Sequence, residues 1–215
     1  PRDAAVRQRL GWGERPVVLT VGRLQKRKGH DMLLRALPAI RERVPDVLYA
    51  IVGEGQERSA LEQLVDQLGL QEHVQFRGEP CDSELVECYQ QCDLFALSNR
   101  TVDGDFEGFG MVLVEAQACG KPVIAGASGG TAETMDVPTT GEIVPCEAPD
   151  VLARRIAEQL QSPAMLLTRG LAARKWAVTQ FDWDALATHA EHEFGMQNKF
   201  GFTKSTTRPV EAAVV

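Results

Sequence analysis

Two stretches of this chain combine charge and glycine at spacings that can do chemistry. The first is Gly22-Arg23-Leu24-Gln25-Lys26-Arg27-Lys28-Gly29, where Arg23 and Lys26 to Lys28 put four cations in six positions. It follows directly on the β-branched run Val17-Val18-Leu19-Thr20-Val21 and leads into a helical pattern. A cationic loop ahead of a helix N-terminus suits a phosphate, because free N–H groups and the helix dipole both favour an anion. Gly22 permits a tight exit from the strand. The glycine spacing and terminal Lys-Ser/Thr of a P-loop are absent, and so is Gly-x-Gly-x-x-Gly, which removes the best support for NAD. Taken alone, the stretch reads first as a solvated basic turn.

The second is Glu107-Gly108-Phe109-Gly110-Met111-Val112-Leu113-Val114-Glu115, two carboxylates eight residues apart. Gly108 and Gly110 clear side chains from a helix entrance, so backbone N–H groups there can approach an anion closely. Glu115 falls about two turns into that helix, where a carboxylate on the ligand side can accept two bonds from a sugar diol. The alternative is an acid favoured by the helix dipole plus an ordinary surface glutamate. Val112-Leu113-Val114 and Ala116 around Glu115 weigh against plain solvation. A third stretch, Gly120 to Gly126 followed by Ser128-Gly129-Gly130-Thr131, allows another backbone approach to a ligand, yet by itself is only a glycine-rich loop. Asp103-Gly104-Asp105 has the form of a metal-binding pair without His or Cys support, and reads as a solvated loop. His189 and His192 read as surface residues, so no metal site is expected.

Apolar runs alternating with helical stretches must position these residues. Strands are predicted at 17–21, 47–52, 74–76, 94–97, 122–125 and 142–144. Helices are predicted over about 29–44, with Pro38 kinking or dividing it, 57–68 closed by Gly69, and up to Gln91 capped by Asp82 or Ser83. Further helices fall at about 109–119, 148–161, 163–180 and 183–194. That order means an α/β fold, a doubly wound parallel sheet with a helical C-terminal extension, and ligands belong at the carboxyl ends of its strands. The polar loop Ser98 to Asp105 is expected to be mobile until a ligand orders it. One domain is expected over residues 1–194, and residues 195–215 lack periodicity and read as a loosely held tail.

The 215 residues carry 23 basic and 30 acidic side chains, a net charge of −7, which argues against a nucleic-acid partner held by bulk attraction. Five cysteines, an odd number, make no Cys-x-x-Cys, and the first residues do not resemble a signal segment, so reduced thiols in the cytoplasm are expected. No apolar run approaches the roughly 18 residues of a membrane span.

Read in order, Gly-Arg-Leu…Lys-Gly, Val-Gly-Glu-Gly, Val-Gln-Phe-Arg-Gly, Glu-Gly-Phe-Gly…Glu-Ala and Gly-Lys-Pro-Val-Ile-Ala-Gly resemble the C-terminal half of a retaining glycosyltransferase. The group is glycosyltransferase family 4 (glycosyl transferases group 1), and the resemblance covers residues 16 to about 194. It implies the Rossmann-like donor half of a GT-B fold, without the N-terminal acceptor domain, which is missing from this chain. By resemblance, Arg23 and Lys28 neutralise the leaving diphosphate of a UDP- or GDP-linked sugar, and Glu107 meets the sugar hydroxyls. Those three are the expected catalytic residues. Donor binding is expected from Gly22, from the Arg77-Gly78 segment facing the base, from the Gly108, Phe109, Gly110, Met111 and Val112 backbone facing sugar and phosphate, and from Glu115 holding the ribose. No cofactor is implied.

Ala132 in place of a common proline, and Met135-Asp136-Val137-Pro138 in place of a polar turn, depart from the family pattern without touching the proposed chemistry. The expected role is sugar transfer to an acceptor hydroxyl in glycan, lipopolysaccharide or glycolipid synthesis, with the fragment alone inactive. The expected partners are the missing half, a membrane surface reached peripherally through that half, and a second copy meeting an apolar face of Trp183, Leu186 and Phe194. The alternatives are half of a nucleotide-sugar epimerase and a non-catalytic nucleotide-sugar-binding module.

Overall fold

Six strands form one sheet in the order β3-β2-β1-β4-β5-β6, and every neighbouring pair is parallel. They are β1 Val17–Val21, β2 Leu48–Val52, β3 Val74–Phe76, β4 Leu94–Leu97, β5 Val123–Gly126 and β6 Gly141–Val144. In this computed structural model residues 2–194 are described, so the predicted tail at 195–215 lies outside the described residues. The chain divides into two compact units, Pro1–Thr179 and Gln180–Val215.

Because successive strand residues point to opposite faces, the sheet builds two cores. Val18, Tyr49, Ile51, Leu94, Ala96 and Ile124 pack on one face beneath α2 (His30–Arg43), α3 (Arg58–Gln67) and α6 (Pro149–Leu160). Val17, Leu19, Ala50, Phe95, Leu97 and Ala125 pack on the other, beneath α4 (Asp82–Gln91) and α5 (Met111–Ala118). All five residues of β1 and of β2 are buried, as strands covered on both faces require.

Pro38 does not divide α2, which runs unbroken from His30 to Arg43. A proline in a helix interior costs about 3 kcal/mol, whereas each fully buried leucine contributes about 1.5–3 kcal/mol. Leu33, Leu34, Leu37 and Ile40, buried on both sides of Pro38, outweigh that cost. The side-chain cap expected from Asp82 or Ser83 does not form. Cys81 occupies the cap position of α4 without a side-chain bond, and Asp82 becomes the first helical residue, where its charge still suits the dipole.

The sequence reading missed the short helix α1 (Ala4–Arg9). Asp3 caps it, accepting from the Ala5 and Val6 amides at 2.9 and 3.0 Å. The helix brings the fully buried Arg7 to the backbone carbonyls of Gly13, Arg15 and Gln91. The last helices among the described residues are α7 (Pro163–Phe181) and α8 (Trp183–Glu193), near the predicted bounds. Trp183 and Phe194 are exposed, at 84 % and 77 %, and Leu186 is exposed too. Among the described residues no helix is long and apolar enough to cross a membrane.

Candidate active site

The sheet changes direction between β1 and β4. From β1 the chain builds outward to β2 and β3, and from β4 it builds the other way to β5 and β6. The loops leaving β1 and β4 therefore flank a crevice at the carboxyl edge, the usual ligand position of an open α/β sheet. The loop after β1 is the basic stretch: Gly22 to Gln25, one 3-10 turn at Lys26–Lys28, then Gly29 ahead of α2. Gly29 has φ +73°, and a Cβ there would lie 1.7 Å from the Ser98 carbonyl oxygen, so only glycine lets the two loops close on each other.

This closure brings Lys28 to Glu107. Both are nearly buried, and Lys28 Nζ lies 2.5 Å from Glu107 Oε2. Arg27 Nη1 reaches the same oxygen at 2.7 Å, and its Nε lies 3.2 Å from Asp105 Oδ2. Both of these contacts with Glu107 fall on Oε2. A buried carboxylate persists in its charged form only with such compensation. Arg23 is exposed, and its side chain makes no hydrogen bond or ion pair among the described residues. The Asp-Gly-Asp stretch joins this network through Asp105.

The segment expected to be mobile is tied down at its start. Ser98 and Asn99 are buried, the Arg100 amide donates to the Arg27 carbonyl at 2.8 Å, and the Arg100 guanidinium grips both carboxylate oxygens of Asp31 at 2.9 Å. Thr101 and the tip, Asp103 to Asp105, are exposed. Beneath lies a support not visible in the sequence. Asn99 bridges β4 to β5, with its Oδ1 accepting from the Gly126 amide at 2.9 Å and its Nδ2 donating to Thr131 Oγ1 at 2.8 Å. The clustered glycines of the third stretch approach the protein's own backbone. A Cβ on Gly129 (φ +59°) would lie 1.6 Å from the Glu107 carbonyl oxygen, and the Gly130 amide donates to the Gly108 carbonyl at 3.0 Å. They form a shelf under the Glu107 loop.

Beyond Glu107, Gly108 is exposed with open space where a Cβ would stand, and Gly110 leads into α5, where Met111 is exposed and Val112 half-buried. At the start of α5 the Leu113 amide donates to the Gly110 carbonyl at 2.9 Å, while the Met111 and Val112 amides make no backbone hydrogen bond among the described residues, an arrangement suited to an anion. Glu115 is exposed despite its apolar neighbours, because Leu113, Val114 and Ala116 turn to the core around it. The Tyr89 hydroxyl donates to its Oε2 at 2.6 Å. Burial, reinforced by the charge of Glu115, pushes the Tyr89 phenol far up, so it stays a donor. The Arg77 guanidinium is committed to the protein: it donates to the Leu10 carbonyl at 3.0 Å, pairs with Glu84, and lies 5.9 Å from the Trp12 ring centre.

Under the basic loop His30 is fully buried, with Nδ1 3.3 Å from the Tyr49 hydroxyl and Nε2 3.4 Å from the Arg23 carbonyl. Tyr49 donates in turn to Thr20, and Thr20 to the Ala96 carbonyl. Burial, aided by nearby Lys28, holds the imidazole down at about 4, so it is neutral at ordinary pH. Beside the ion-pair cluster an open pocket of about 240 Å³ is lined by Gln25, Lys26 and Arg27 on one side and Val102, Asp103 and Asp105 on the other, with Gln56.

A doubly wound parallel sheet with cations and a buried carboxylate at its switch point defines a Rossmann-like domain. The comparisons with known proteins agree on its kind. The chain belongs to the family described as glycosyl transferases group 1, whose model matches residues 3–176. It is 43 % identical over 183 residues to a GDP-mannose-dependent alpha-(1-6)-phosphatidylinositol monomannoside mannosyltransferase of Mycolicibacterium smegmatis, covering 84 % of this chain and 48 % of that protein. Among solved structures it is similar to Anabaena HepE in complex with UDP, with TM-score 0.80 and 29 % identity over 90 % of this chain and 52 % of that one. It is also similar to sucrose-phosphate synthase of Thermosynechococcus elongatus, with TM-score 0.77 and 31 % identity over 91 % of this chain and 49 % of that one. The chain is thus a glycosyltransferase domain, corresponding to the C-terminal domain of a GT-B fold, and it spans about half the length of the curated relatives it matches.

Proposed function

We propose that this chain is the donor-binding domain of a retaining glycosyltransferase of family 4, one that moves a sugar from a nucleoside diphosphate to an acceptor hydroxyl. The pairing of Lys28 with Glu107 at the switch point carries this reading, because it sets a cation for phosphate beside a carboxylate for hydroxyls. GDP-mannose is the first donor to consider, since the relative at 43 % identity bears a GDP-mannose-dependent name; UDP-linked sugars come second, from the HepE complex with UDP.

In this reading the diphosphate lies against the amides at the start of α5, with Arg23 and Lys28 as counter-charges. Breaking the sugar–phosphate bond moves negative charge onto the diphosphate, and fixed cations and amides stabilise that charge as it grows. The Glu107 carboxylate accepts from a sugar hydroxyl, and Glu115 holds the ribose diol while Tyr89 fixes its orientation. Gly22 gives the diphosphate room, and the backbone of Arg77 and Gly78 faces the base. The leaving phosphate oxygen takes the proton of the acceptor hydroxyl on the face it departs from, so the anomeric configuration is retained. The acceptor belongs to a second domain, and this chain alone binds donor without transferring it.

A thermal-shift panel of GDP, UDP, ADP and their sugar conjugates tests the reading. A ligand at a hundred times its Kd stabilises by about 2.7 kcal/mol, several degrees for a domain of this size. The expected result is a rise with GDP and GDP-mannose above ADP. No rise with any nucleoside diphosphate or its sugar at millimolar concentration would refute it.

A further inference from the structure

Arg27 has no place in the donor-site assignment above, yet it is the more committed of the two cations on Glu107. Its guanidinium is about four-fifths buried and bonds Glu107 Oε2 through Nη1 and Asp105 through Nε. Its carbonyl holds the Arg100 amide, so one residue fastens the loop after β4 at three points. Lys28 reaches the same carboxylate oxygen with a single ammonium. An ammonium has three N–H donors on a flexible stem, whereas a guanidinium presents a rigid fork suited to fixed carboxylate geometry.

We infer that Arg27 is a positioning residue that neutralises Glu107 and thereby leaves the charge of Lys28 available to a diphosphate. This rests on the assignment of Lys28 to the diphosphate. Two cations on one oxygen make a cluster in which either alone can balance the carboxylate. With Arg27 in place, Lys28 can turn toward an incoming anion without stranding a buried, unpaired Glu107, a change that would otherwise be costly. Without Arg27, Lys28 is the only partner left for Glu107, and a diphosphate must compete with a carboxylate for it. Lys26, the neighbouring cation on the same turn, is exposed and pairs with no carboxylate among the described residues. It supplies the control for charge without geometry.

The experiment is isothermal titration of GDP and of UDP into the wild-type chain and the variants Arg27→Gln, Arg27→Lys, Lys26→Gln, Glu107→Gln and Arg27→Gln/Glu107→Gln, each first checked for a cooperative melt. Arg27→Gln should weaken the diphosphate about tenfold, the scale of one charge-assisted contact, and Lys26→Gln by less than about threefold. Arg27→Lys should fall between wild type and Arg27→Gln. The decisive variant is the double one: removing the carboxylate frees Lys28, so Arg27→Gln/Glu107→Gln should return to within about threefold of wild type, a rescue of strongly coupled sites. A double variant as weak as Arg27→Gln or weaker overturns the inference, because Arg27 would then serve only to hold the loop. Equal losses in Lys26→Gln and Arg27→Gln overturn it in favour of bulk charge. If the wild-type chain binds neither diphosphate, the Lys28 assignment itself falls, and the inference with it.

Discussion

Lowering the pH should loosen this fold through one buried imidazole, His30. It is 1 % exposed beneath the basic loop, and burial holds it down at about 4, against 6.5 for an ordinary imidazole. Between those values the unfolded chain binds a proton that the folded one refuses, so stability falls as pH drops from 6.5 to about 4 and this contribution levels off below. The interval amounts to about 3 kcal/mol, since one pKa unit is worth about 1.36 kcal/mol. Asp31 and Lys28 beside it oppose and reinforce the effect respectively. Urea unfolding of the wild type and of His30→Gln, measured every half pH unit from 4 to 7, isolates the contribution. Glutamine offers a donor and an acceptor but does not titrate. The variant should therefore start less stable near neutrality, and the gap should narrow by up to about 3 kcal/mol as pH falls. Parallel pH profiles for the two proteins would refute a neutral buried His30.

Other expectations concern the loops that make the site. Gly29→Ala should cost at least about 2 kcal/mol by urea unfolding, because it adds a left-handed alanine and a methyl 1.7 Å from the Ser98 carbonyl oxygen. The Arg100 amide, bonded to the Arg27 carbonyl, should be protected from hydrogen exchange without nucleotide, while Asp103 and Gly104 exchange freely; equal rates would show that the loop is not anchored. Glu115→Ala should weaken nucleoside diphosphates with an intact ribose diol about tenfold and leave a 2′,3′-dideoxy analogue nearly unchanged, whereas equal losses would remove Glu115 from the ribose.

The strands and the doubly wound order were legible because buried parallel strands are continuous apolar runs and their helices keep a 3.6-residue period. Both patterns sit in neighbouring residues. The placement of Lys28 and Glu107 beside strand ends was legible for the same reason. Their direct contact was not, since 79 positions separate them and only the sheet order brings the two loops together. The partner of Arg27, and the roles of Asn99 and Tyr89, escaped for that reason too: each acts through a partner from another loop or helix. Glu115 shows the reverse error. Apolar neighbours in sequence suggested shelter, but a helix turns about 100° per residue, and the core took Leu113, Val114 and Ala116 while leaving Glu115 outside. Pro38 was read by its local rule, and the buried leucines around it decided otherwise.

The division of labour between Lys28 and Glu107 is tested most directly by titrating GDP and GDP-mannose into the wild-type chain, Lys28→Gln and Glu107→Ala. Lys28→Gln should lose tenfold to a hundredfold for both ligands, roughly one charge-assisted contact with the diphosphate they share. Glu107→Ala should keep the affinity for GDP and lose about tenfold for GDP-mannose, because its partner is the sugar. Equal losses for GDP in the two variants, or a GDP-mannose affinity that Glu107→Ala leaves untouched, would contradict the assignment.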